Sequence, residues 1–138
     1  MRTNVSGRTA AVLVALEGLG LASLVVWQIL AIAGGDTDSL ESAIALVVLT
    51  IVGTAAVLAF AVATWRGQSW GRSGAIVTQL LVLAVAWGAA TGAFAAPSLA
   101  LALAVPALIV LVLLVLAVRD AGRAARAETG ADGDSRRP

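Results

Sequence analysis

Four long apolar stretches occupy most of the chain and limit what it can fold into. They cover residues 9–33, 40–65, 74–96 and 98–118, separated by short segments of charged residues, Gly or Pro. A helix rising 1.5 Å per residue needs about 20 residues to cross a hydrocarbon layer of about 30 Å, and each stretch supplies them. Transmembrane strands come as segments of about 10 residues with alternating polarity, whereas these stretches are continuous. Within lipid every backbone N–H and C=O must find its partner inside the protein, so four such stretches imply four helices. The expected fold is all-α: a polytopic membrane protein built as a bundle of four transmembrane helices. Charge agrees, because only 12% of the 138 residues are charged while 60% are hydrophobic. A water-soluble domain carries roughly 25% charged residues to cover its surface.

The connections suggest how the helices are threaded. Gly34 to Ser39 closes the first helix and offers polar caps for the second. Arg66 to Arg72 joins the second to the third, and Pro97 with Ser98 makes a tight turn before the fourth. Arg2 and Arg8 precede the first helix, Arg66 and Arg72 lie in the second connection, and Arg119, Arg123, Arg126, Arg136 and Arg137 follow the fourth helix. The first and third connections contain no basic residue. The positive-inside rule therefore predicts up-down-up-down threading with both termini in the cytoplasm of a cell membrane. Residues 1–8 form a cytoplasmic N-terminus, and residues 119–138 a cytoplasmic tail expected to be disordered after a turn or two of helix, since it lacks large apolar side chains. Ala31-Ile32-Ala33 imitates a signal-peptide cleavage site. The apolar stretch before it exceeds a signal core of about 7–15 residues and holds Glu17, so an uncleaved helix is expected.

The missing residue types narrow the chemistry. With no Cys and no His, thiol catalysis, thiolate metal sites and the commonest general base are absent. No cofactor, metal site or catalytic set is expected, and the chain is not read as an enzyme. The net charge of +1 gives no reason to expect nucleic acid.

Glu17 is the most informative residue. It lies eight residues into the first stretch, about 12 Å below its cytoplasmic end. An acid in that position costs about 2.5–3.5 kcal/mol on insertion scales. The six Leu, four Val and two Ile of the same stretch return about 4–7 kcal/mol, so the helix still inserts. Gln28, eleven residues on, shares its face, and the stripe Glu17-Leu21-Leu24-Gln28 is expected to face protein. Gln79 lies about 8 Å into the third helix, at a depth similar to that of Glu17, and its amide could pair with the carboxyl. Thr50 and Thr54 are further partners, although they can bond their own helix carbonyls. Glu17 is thus either an interhelical clasp or a proton or cation site.

Small residues recur along three helices: Ala11-Ala15-Gly18-Ala22, Ala55-Ala59-Ala63 and Ala84-Gly88-Gly92. Such stripes let backbones approach closely, and ordinary packing inside the bundle is expected of them. The fourth helix, bent at Pro106, reads as the most lipid-exposed. In the second connection Trp65 and Trp70 flank Arg66, and Arg72 follows. This is the pattern of an interfacial aromatic belt, and Arg66, Trp70 and Arg72 are also candidates for docking a lipid headgroup or a partner. Ser73 could cap the third helix.

The set Glu17-Gly18, Arg66-Gly67, Trp70-x-Arg72-Ser73 and Gln79-Leu80 resembles a group of uncharacterised small four-helix membrane proteins of high-GC Gram-positive bacteria. The likeness spans the first three helices and implies a topology, with no activity attached. Members of that group often carry extra Arg before the Trp, where this chain has Gln68 and Ser69. Small multidrug-resistance transporters share the size and a first-helix acid, but this chain has no Tyr and lacks their aromatic-rich middle helices. The expected partners are the lipid bilayer and another membrane protein, or a second copy met through the small-residue stripes. The function expected is that of an accessory or scaffold subunit, and the alternative is a small oligomeric proton-coupled transporter or channel using Glu17.

Overall fold

A computed structural model describes residues 5–93 and 95–134, with side chains described as far as Ala127. Four helices form: α1 (Val5–Ala33), α2 (Leu40–Trp65), α3 (Ser69–Thr91) and α4 (Pro97–Asp134). All four are long and apolar enough to cross a membrane, as in a multi-pass membrane protein. Arg2, Arg136 and Arg137 lie outside the described residues.

Each helix packs on its neighbours in the chain, and α1 meets α4 to close the ring. The centre is built mainly from small and β-branched side chains. Ala10, Val14, Ala61, Ala75, Val110 and Leu114 are all but inaccessible, while Leu80, Leu81 and Trp87 point outward. This arrangement is stable where the surroundings are as apolar as the side chains, because the helices then associate through close packing. Gly18 shows how close: a Cβ there would lie 2.5 Å from Leu58 Cδ2.

The turns follow from local chemistry. α1 and α2 each end in a Schellman-type cap, with Asp36 N–H donating to Ala31 O at 3.0 Å and Gln68 N–H to Ala63 O at 2.9 Å. Gly35 and Gly67 take the left-handed conformations these caps need, at φ +75° and +76°. Ser39 caps α2, its side chain accepting from Ser42 N–H.

Several sequence expectations change. α3 begins at Ser69 rather than Gly74, because Gly67 turns the chain so tightly that only residues 66–68 remain as connection. Gln68 occupies the N-cap position, and Ser73 instead donates to Ser69 O within the first turns. α3 also ends earlier, at Thr91, with Gly92 as its C-cap. α4 continues as helix to Asp134, about 24 Å beyond Val118. Ala121, Ala124, Ala125 and Ala127 are strong helix formers, and their propensity carries the helix through a segment that has no core to join. Nor is α4 the most exposed helix, because it contributes Val110 and Leu114 to the buried centre.

Candidate functional site

The intramembrane polar groups meet across the bundle. α1 turns Ala10, Val14 and Gly18 inward, and Glu17 sits at the edge of that face, only partly buried. α3 turns Ala75, Gln79 and Ala86 inward at helical spacing. Ala75 and Ala86 are small, so the longer Gln79 side chain can reach across from α3 to α1. Its Nε2–H donates to Glu17 Oε2 at 2.6 Å, and Gln79 is fully buried. A hydrogen bond to a carboxyl in a medium of low dielectric ties the two helices at one depth. Gln79 Oε1 is buried with no hydrogen-bond partner among the described residues.

The other polar candidates behave differently. Gln28 does not join this pair, and its Oε1 is also buried without a partner among the described residues. The stripe joining it to Glu17 is not wholly protein-facing, since Leu24 is 41% exposed. Lipid accepts Leu as readily as protein does, so sharing a face with a polar residue does not draw it inward. Thr50 and Thr54 donate to Leu46 O and Thr50 O, both at 2.7 Å, and so are satisfied within α2.

Beside Glu17 lies a groove that the sequence did not announce. It runs between α1 and α4 with a volume of about 390 Å³, and Leu13, Leu16, Val105, Pro106, Ile109 and Val110 line it with Glu17. Leu16, Val105 and Ile109 are half-exposed, so the groove opens on the outer surface of the bundle. The one sequence signal is Pro106, which removes a backbone donor on the α4 wall of the groove.

At the bundle end where α1 begins, the aromatic and basic residues are engaged locally. The Arg8 guanidinium stacks over the Trp65 ring at 5.2 Å, a cation–π contact between α1 and α2. Trp70 meets Phe60 edge-on at 5.9 Å and donates its indole N–H to Gln68 Oε1. Arg72 donates to Gly67 O at 3.2 Å, closing the cap that ends α2. Arg66 is exposed, and its side chain has no hydrogen bond or ion pair among the described residues. Ser6 donates to Asp120, which also pairs with Arg123 at 3.7 Å. These contacts place Arg8, Arg72 and Arg123 at one end of the bundle, with Arg66 and Arg119 next in the chain to Trp65 and Asp120. Asp36, Asp38 and Glu41 lie around the turn between α1 and α2.

The small-residue stripes divide. On α1, Ala11 and Gly18 are buried, as internal packing requires. On α2 only Ala63 is buried, while Ala55 and Ala59 face outward. On α3 Ala84, Gly88 and Gly92 are all exposed, and a Cβ at Gly88 would meet nothing within 4 Å. Internal packing therefore does not explain the α3 stripe. Among the described residues no three His, Cys, Asp or Glu side chains come together as metal ligands would. No protein-family model, no curated protein and no solved structure matches this chain.

Proposed function

We propose that this chain is a small accessory or scaffold subunit of the cell membrane, one that holds another membrane protein and performs no catalysis itself. The observation that carries the reading is the outward stripe on α3. Ala84 and Gly88, one turn apart on the helix, with Gly92 at its C-cap, present small exposed residues with open space beside Gly88. Lipid gains nothing special from such a strip, whereas a second helix gains close backbone contact.

The threading proposed is up-down-up-down with both termini in the cytoplasm. Arginine in the second connection and after α4, with none in the α1–α2 or α3–α4 connections, supports it under the positive-inside rule. The chain has no Cys, so single-cysteine labelling reads this directly. In intact cells an impermeant maleimide is expected to label Asp36→Cys, and to label Gln68→Cys only after permeabilisation. The reverse pattern would invert the topology.

Purification from native membranes in a gentle detergent is expected to recover a stoichiometric second membrane protein. Gly88→Leu is expected to reduce that recovery about tenfold, equivalent to about 1.4 kcal/mol. Stability of the bundle itself should not fall, because a Cβ at this position meets nothing and the backbone freedom of glycine is removed. A lone monomer or a pure homo-oligomer, or proton flux in liposomes that depends on Glu17, would replace this reading.

A further inference from the structure

We propose that the groove between α1 and α4 docks a transmembrane helix of the partner protein, and that this helix presents a Lys or Arg side chain to Glu17. The inference rests on the reading of the chain as a partner-binding subunit, and it names the surface and its chemistry. Leu13, Leu16 and Glu17 stand at positions i, i+3 and i+4 of α1, and Val105 and Ile109 at i and i+4 of α4. These are the spacings of helix ridges, into which a third helix fits its own side chains.

Apolar walls alone would select no occupant, because lipid chains are as apolar as Leu. Selectivity has to come from the carboxyl. Gln79 engages one of its oxygens, yet Glu17 stays only partly buried and lines the groove. Intramembrane acids face a protein interior or pair with a group of opposite charge, and the bundle provides neither in full. The chain has no cation of its own to offer at this depth. Its basic residues are all Arg, and none lies between residues 9 and 65 or between 73 and 118. Arg8, the nearest along α1, is about 13 Å away at 1.5 Å per residue. A second copy has the same gap, and lipid headgroup amines lie at the interface rather than at this depth. A cation carried by a different transmembrane helix fits the position.

The test uses the full chain, donor-labelled in phosphatidylcholine liposomes, with acceptor-labelled Leu/Ala transmembrane peptides of about 20 residues. The peptides carry Lys, Gln or Leu at their centre, and energy transfer reports binding. The Lys peptide is expected to bind about tenfold more tightly than the Leu peptide, a usual size for one interhelical polar contact. In Glu17→Gln that preference should vanish, while circular dichroism shows the helices intact. Ile109→Trp fills the groove while keeping Glu17 in the chain, and it should weaken Lys-peptide binding several-fold. Equal binding of Lys and Leu peptides overturns the proposal, and so does a Lys preference that persists in Glu17→Gln. If a native partner still co-purifies through the α3 stripe after either result, the subunit reading stands and only the groove assignment falls.

Discussion

Gly71→Ala is expected to destabilise the bundle by about 1–3 kcal/mol, the usual cost of overpacking a tight contact. Gly71 sits buried in the first turn of α3. An added Cβ would lie 2.7 Å from the backbone N of Thr64 and 2.8 Å from the backbone C of Ala63. Neither atom belongs to a flexible side chain that could rotate away. The connection of residues 66–68 is too short to let α3 slide along α2, and its cap is fixed by Gly67 and the Arg72 bond. The methyl group must therefore push the two helices apart. Gly88→Ala supplies the contrast on the same helix, since nothing stands within 4 Å of its Cβ position. There the loss of glycine's backbone freedom is expected to stabilise by about 0.5–1 kcal/mol. Reversible unfolding in mixed micelles, followed by circular dichroism, measures both. Equal effects of the two substitutions would mean that α2 and α3 do not meet at Gly71.

The second large effect concerns the diagonal bond. Glu17→Leu is expected to cost about 1–3 kcal/mol, because it leaves the whole Gln79 amide buried and unpaired. Glu17→Gln keeps an acceptor and a donor at the same position, and should cost no more than about 0.6 kcal/mol, the average worth of such a bond in a membrane protein. Adding Gln79→Leu to Glu17→Leu removes both polar groups at once and is expected to recover most of the loss. The same unfolding measurement on the four proteins of this double-mutant cycle gives the coupling energy directly. A cycle that closes additively would show that Glu17 and Gln79 do not interact.

Much of the architecture was open to reading because a bilayer imposes a length. The limits of α2 follow from Trp65 and the run of Asp36 to Ser39, where polar punctuation is sharp. The bond between Gln79 and Glu17 follows from depth, since residues counted from a shared membrane surface convert to ångströms at a fixed rise. Which way each face points was a different matter. Helix amphipathicity signals orientation in water, but in lipid both sides of a helix are apolar and the contrast disappears. Ala84-Gly88-Gly92 and Ala11-Ala15-Gly18 are alike as sequence, yet one faces out and the other in. The groove at Glu17 was hidden for a related reason, because its walls on α1 and α4 lie about 90 residues apart in the chain and no spacing rule links them. The reach of α4 is not legible from the lack of a core alone, because alanine's helix propensity carries the helix where no packing supports it.

That reach has a mechanical consequence. At 1.5 Å per residue the 38 residues of α4 make a rod about 57 Å long, nearly twice the thickness of the hydrocarbon layer. A helix of this kind acts as a stiff spacer rather than a tether. The far end of α4 therefore stands at a set distance from the apolar layer, and any change in the tilt of α4 is magnified there as at the tip of a lever arm.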